Sequence, residues 1–178
     1  MKKFRNRILE AGVDFQACYQ CGKCTAGCPV AFAMDYGPRQ IVRFLQLGMW
    51  EEAFSSHSIW LCTACDTCST RCPRGVNPAQ MMDWLRVEAG RQGMVAEPKV
   101  KIFNDTFLKL VEKYGRVPEG ELVIRYNFRS GQVFKDARLG PAMLRRGKLH
   151  LIPRRIRGIG SLRQVFKRVK RSIARLRG

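Results

Sequence analysis

All eight cysteines of this 178-residue chain fall in two short runs. The first is Cys18-Tyr-Gln-Cys21-Gly-Lys-Cys24-Thr-Ala-Gly-Cys28-Pro29. The second is Cys62-Thr-Ala-Cys65-Asp-Thr-Cys68-Ser-Thr-Arg-Cys72-Pro73. Both read C-x2-C-x2-C-x3-C-P, and no cysteine is left over. This is the bacterial-type iron–sulfur run, in which the fourth cysteine ligates the other cluster of a two-cluster protein. Three thiolates spaced by two residues can wrap one loop around a cube. The fourth, three residues later and just before a proline, points away and completes the neighbouring cube. The spacing therefore predicts two [4Fe–4S] clusters. Cys18, Cys21, Cys24 and Cys72 are expected to hold one, and Cys62, Cys65, Cys68 and Cys28 the other, close enough for electrons to tunnel between them.

Two other uses of cysteine fit less well. A disulfide framework needs an oxidising compartment. Structural zinc prefers paired C-x2-C hooks or added histidines, and the histidines here are His57 and His150 alone. The start, Met1-Lys2-Lys3-Phe4-Arg5-Asn6-Arg7, carries charge without an apolar stretch behind it, so no secretory signal is expected. No run approaches the ~18 uncharged apolar residues of a spanning helix. These features predict a cytoplasmic protein, with peripheral attachment to a membrane as the second option.

The 33 residues between Cys28 and Cys62 choose the fold class. A ferredoxin of short hairpins does not need them. Pro38 suits a helix first turn and Gly48 a helix stop, with Ile41, Val42, Phe44, Leu45 and Leu47 on one broad face. A second helix is expected over Glu51–Ser56. Asn77 and Pro78 begin a third as N-cap and first residue, with Met81, Met82, Trp84, Leu85 and Ala89 turned to a core. A fourth is expected over Val100–Tyr114. The run Glu121–Phe128 is the best candidate for extended structure. The fold class is thus all-α: a helical two-cluster ferredoxin domain over 1–115, with clusters held in loops between helices. Trp50, Trp60 and Trp84 are expected to pack around those loops, and Met81 and Met82 to fill core rather than act as ligands.

The first run and its sequel, Cys24-Thr-Ala-Gly-Cys28-Pro-Val-Ala31 and then Asp35-Tyr36-Gly37-Pro38-Arg39, resembles the C subunit of heterodisulfide reductases. So does Ile59-Trp60-Leu61-Cys62-Thr-Ala-Cys65-Asp-Thr-Cys68-Ser-Thr-Arg-Cys72-Pro-Arg74-Gly75-Val76. The resemblance covers roughly residues 8 to 95. The double run alone would also fit the ferredoxin domain of succinate dehydrogenase-type subunits. The resemblance implies an all-helical ferredoxin with two [4Fe–4S] clusters, relaying electrons from a flavin-bearing A subunit to a catalytic B subunit. A peripheral iron–sulfur subunit of a membrane quinone oxidoreductase is the alternative. No catalytic residue is expected in the chain itself. Its thiols are all committed to clusters, and it contains no G-x-G-x-x-G for a flavin or nicotinamide.

Lys23, Arg71 and Arg74 lie in or beside the runs. They could favour the more negative, reduced state of a cluster, or simply be surface charge. Gly22 and Gly27 let the backbone pass close to a cube.

The charge is lopsided. The chain carries a formal +19, of which residues 137–178 supply +14, with no acidic residue. Residues 116–160, broken by glycines and prolines, read as a linker or partner-wrapping segment. From Ser161, a candidate cap, Leu162, Val165, Phe166, Val169, Ile173 and Leu176 recur at helical spacing between Arg and Lys residues. This predicts a basic amphipathic helix over 161–178. Its expected partner is an acidic groove on another subunit or an anionic membrane surface, and not nucleic acid.

Overall fold

The computed structural model describes residues 2–133, 135, 145–146 and 155–175. The protein is helical, and no β-strand occurs among the described residues. The chain divides into two compact units, Met1–Pro98 and Lys99–Gly178.

The first unit contains α1 (Lys2–Glu10), α2 (Lys23–Ala26), α3 (Pro38–Leu47), α4 (Trp50–Ser55), α5 (Ser58–Leu61), α6 (Thr67–Thr70) and α7 (Pro78–Arg91). Both long helices begin as their sequences dictate. Pro38 and Pro78 occupy the first turn, where a missing N–H costs nothing. The Asn77 side chain accepts from the Gln80 N–H at 3.1 Å. Gly48 ends α3 in the left-handed conformation, φ +76°, with the Met49 N–H returning to the Phe44 carbonyl.

One core holds the unit together. Ile41, Val42 and Leu45 of α3 meet Met81, Met82, Leu85 and Ala89 of α7. Trp50, Ala53 and Phe54 of α4 pack with them, as do Ile59 and Trp60 of α5. Each of the larger aliphatic and aromatic side chains among them contributes roughly 1.5–3 kcal/mol by leaving water. Trp50 and Trp60 are buried, and Trp84 lies at the edge of the cluster with its ring centroid 6.4 Å from that of Trp50.

α1 carries no clear helix signal in the sequence. Its apolar contribution is short, Phe4 and Ile8, and its other residues are mostly polar or basic. Tertiary contacts hold it in place. Ile8 is fully buried, Phe4 packs edge-on against Phe54 at 5.3 Å, and Arg7 makes a bidentate ion pair with the buried Glu88 of α7 at 3.0 and 2.9 Å.

The second unit contains α8 (Pro98–Tyr114), α9 (Glu119–Arg129) and α10 (Ile159–Arg175). The run Glu121–Phe128, expected to be extended, is helical. Its β-branched and aromatic residues read as strand, but local signals win. Glu119 and Glu121 occupy the first turn and Arg129 the last, matching the helix dipole. Glu121 accepts from Arg125 one turn later at 2.7 Å, and the Tyr126 ring packs edge-on against Phe103 of α8 at 5.8 Å.

α10 starts two residues before the expected Ser161 cap. Arg163 donates to the carbonyls of Glu112 and Lys113 at the end of α8, and Lys170 pairs with Glu112 at 2.7 Å. Leu162 and Phe166 are half-buried, whereas Val165 and Val169 are exposed. The Ile173 side chain and Leu176 of the expected stripe, and most of the expected linker beyond residue 135, lie outside the described residues.

Candidate metal centre

The two cysteine runs fold alike. Each lies 44 positions from its counterpart: 18 to 62, 21 to 65, 24 to 68 and 28 to 72. In each, two residues take positive φ, Gln20 (66°) and Gly22 (82°) in the first, Ala64 (52°) and Asp66 (58°) in the second. These turns lead into single-turn helices, α2 and α6, which pack on each other. Non-glycine residues in the left-handed region are strained, and such strain clusters at functional sites.

The helices after each run repeat the likeness at a spacing of 40. Thr25 Oγ1 of the first run accepts from the N–H of Arg39, the residue after Pro38, at 3.0 Å. Ser69 Oγ of the second run accepts from the N–H of Ala79, the residue after Pro78, at 3.3 Å. Each hydroxyl thus satisfies an orphan donor in the first turn of the next helix. Further along α3, Gln46 Nε2 donates to the carbonyls of Phe15 and Cys18 at 3.2 and 2.8 Å. Its counterpart Arg86 donates to those of Ile59 and Cys62, both at 2.7 Å. The residue types differ, but the clamp on the entry to each run is the same.

This arrangement opens two recesses. One is lined by Cys18, Cys21 and Cys24 of the first run together with Cys72 of the second. The other is lined by Cys62, Cys65 and Cys68 of the second run together with Cys28 of the first. Pro78, Val76 and Val42 complete the apolar wall of the first, and Pro38, Val30, Met34 and Met82 that of the second. The two recesses are alike in size. Among the described residues no three His, Cys, Asp or Glu side chains are gathered as a single metal ion would need. The thiols ring a space.

The thiols are matched to metal. Burial pushes Cys24, Cys62 and Cys68 up, the last to about 11. Exposed Cys65 is instead lowered by hydrogen bonding with Thr67. Thiols held neutral in a half-dry recess give up their protons when a metal coordinates them. Four sulfur donors around an otherwise largely apolar recess have the chemistry of an iron–sulfur cube's ligands, twice over.

Several further residues contribute to the site. Gln20 donates to Cys18 Sγ from its backbone N–H at 3.4 Å and its amide at 3.6 Å. The Arg39 side chain lines the first recess. Asp35 accepts from the Ser56 hydroxyl and from the N–H groups of His57 and Ser58, each at 2.9 Å, and from the Ser58 hydroxyl. It so ties the loop after the first run to the start of α5, which leads into the second. A Cβ on Gly37 would lie 2.6 Å from the Thr25 methyl, so the close approach of α3 to α2 needs glycine. Each had a signal in the sequence: position within Asp-Tyr-Gly-Pro-Arg, or equivalence across the repeat.

Comparison with known families gives a match over residues 14–76 to the 4Fe–4S dicluster domain. The domain takes two [4Fe–4S] clusters, and its match spans both cysteine runs. The similarity extends further in three curated relatives. The iron–sulfur C subunit of the CoB–CoM heterodisulfide reductase of Methanopyrus kandleri is 43% identical over 88 residues, 49% of this chain and 46% of that protein. The C subunit of the H2:CoB–CoM heterodisulfide, ferredoxin reductase of Methanothermobacter marburgensis is 38% identical over 96 residues, 53% of this chain and 52% of that one. The C subunit of the ferredoxin:CoB–CoM heterodisulfide reductase of Methanosarcina acetivorans is 42% identical over 80 residues, 45% and 32%. The chain spans about half the length of the curated relatives it matches, and less of some. Over the stretch that holds both cysteine runs the chain is similar to these iron–sulfur C subunits. No helix among the described residues is long and apolar enough to cross a membrane.

Proposed function

We propose that Cys18, Cys21, Cys24 and Cys72 hold one [4Fe–4S] cluster and Cys62, Cys65, Cys68 and Cys28 the other. On this reading the chain is the electron-relay subunit of a heterodisulfide reductase-like complex. It passes electrons between a flavin-bearing subunit and a catalytic subunit that acts on a thiol/disulfide substrate. The observation that supports this most strongly is the exchange of fourth cysteines. Each recess takes three thiols from one run and one from the other.

Each cluster, when bound, takes up and gives back one electron at a time. The chain's own residues do the rest. The eight thiolates hold the two cubes on adjoining loops. Gln46 and Arg86 fix the backbone where each run begins. Val42, Val76 and Pro78 on one side, and Val30, Met34 and Met82 on the other, exclude water from the sulfurs. A drier site reorganises less when charge changes. The basic helix α10, with Val165 and Val169 exposed, docks the chain on an acidic partner surface.

Cysteine-to-serine variants and a pull-down test the reading. Cys72→Ser should disturb the spectrum of the cluster that Cys21→Ser disturbs, and Cys28→Ser that of Cys65→Ser. Anaerobic pull-down of the tagged chain from its native cell should recover a flavoprotein and a cysteine-rich catalytic subunit. Recovery of a quinone-binding membrane protein instead would overturn the assignment to this complex.

A further inference from the structure

The two recesses are alike in fold and unlike in charge. At five pairs of equivalent positions the first side has the more positive or the more strongly donating residue. Lys23 stands where the second run has Thr67, and Gly22 where it has Asp66. Arg39 lines the first recess, and its counterpart Ala79 lines the second. Arg43 of α3 answers to Asp83 of α7. Gln20 adds a side-chain N–H to Cys18 Sγ at 3.6 Å, and its counterpart Ala64 has no such group.

Three groups complete the inventory. Arg74 donates to the Ala17 carbonyl at 3.4 Å, next to Cys18 and two residues from Cys72, so it adds to the first recess. Arg71 lies over Gly27, between the runs, and serves both. Arg86 is the exception on the second side, and Asp83 pairs with it at 3.5 Å. Thr67 Oγ1, 3.4 Å from Cys65 Sγ, offsets part of the difference.

Reduction adds one negative charge to a cube. Nearby cations and N–H···S bonds favour that added charge, and carboxylates oppose it. We propose that these residues make the cluster in the Cys18, Cys21, Cys24, Cys72 recess the more easily reduced of the two. Gln20, Lys23 and Arg39 act there as positioning residues for the electron, and Asp66 and Asp83 act against reduction of its neighbour. An electron placed on the second cluster therefore moves to the first. The second is oxidised by one electron, the first is reduced by one, and no proton moves. The inference rests on the ligand assignment above, and it gives that relay a direction.

The test uses the full chain carrying both clusters, checked for about eight irons, with each potential read by an EPR-monitored redox titration. Cys21→Ser and Cys65→Ser identify which potential belongs to which cluster. The cluster tagged by Cys21→Ser should have the higher potential. Lys23→Thr with Arg39→Ala should lower that potential alone. The electron's partition should change by about tenfold or more, or about 59 mV for one electron. Arg39→Lys should retain most of the wild-type value. Asp66→Asn should raise the other potential. It also keeps the test open if the double variant loads poorly, because asparagine tolerates the positive φ at that position. Finding the Cys21-tagged cluster at the lower potential overturns the proposal. So do unmoved potentials in fully loaded Lys23→Thr/Arg39→Ala or Asp66→Asn protein. Failure of the ligand assignment looks different: iron content below about eight, or a Cys72→Ser change that falls on the Cys65-tagged cluster.

Discussion

Asp35 carries more of the site than a surface carboxylate usually does. Partial burial pushes its pKa up, but the Ser58 hydroxyl, the His57 N–H, the Ser56 hydroxyl and the Ser58 N–H outweigh that and hold it at about 2. The ionised form is thus favoured in the folded state. Its contribution is fully present above about pH 4 and is lost as the pH falls through about 2. After allowance for its solvent exposure the contribution is about 1 kcal/mol. Asp35→Asn should lower the stability read from anaerobic urea unfolding at pH 7 by that amount, and the gap between variant and wild type should close toward pH 2. The Arg7–Glu88 pair makes a sharper case. Glu88 is 4% exposed and holds Arg7 at 2.9 Å. Arg7→Met leaves a buried carboxylate with Arg91 at 3.3 Å as its remaining guanidinium. That should cost about 2–4 kcal/mol in the same experiment. A loss below about 0.5 kcal/mol, the scale of an exposed ion pair, would contradict the structural role given to it.

At the scale of elements, the unit is a pair of cysteine loops, each handing its hydroxyl to the helix that follows. Thr25 and Ser69 join what would otherwise be independent pieces, a loop and a helix start. Ser69 Oγ also donates to Asn77 Oδ1 at 2.6 Å, so that N-cap and loop are locked together. Ser69→Ala should destabilise by about 1–2 kcal/mol through lost capping and an unmet N–H. It should speed cluster loss measured by bleaching in air. Gly37→Ala should do the same through steric push on Thr25, and a Thr25→Ser partner change, which removes the methyl at 2.6 Å, should rescue it in part. The helices around these loops were readable because their ends carry explicit signals: Pro38, Gly48, Asn77 and Pro78. α1 and α9 were not. α1 has too short a stripe to announce itself and is held by Glu88 and Phe54. α9 has strand-like residues whose helical state is settled by Glu119, Glu121 and Arg125.

For the whole molecule, the first unit is held by one apolar core. The recesses break the core's continuity where the thiols stand, so cluster binding is also folding energy. Anaerobic removal of iron by a chelator should lower the thermal midpoint of the first unit and broaden its transition. An unchanged midpoint in iron-free protein would show that the core suffices alone. Charge divides along the chain as well, with +14 in residues 137–178. Binding of α10 to an acidic partner should therefore weaken steeply between low and physiological salt. By itself, the sequence determined the number of clusters and the helical class. Those follow from spacing, from proline and glycine punctuation, and from apolar periodicity, all of which act over a few residues. Which thiols share a cube is our proposal, supported by the spacing and by the lining of the two recesses. Only the tertiary structure brought Arg39 to one recess and Ala79 to the other, clamped both runs with Gln46 and Arg86, and set Asp35 at the start of α5. Those relations join residues that are distant in the chain. They depend on how helices pack, which no local pattern encodes.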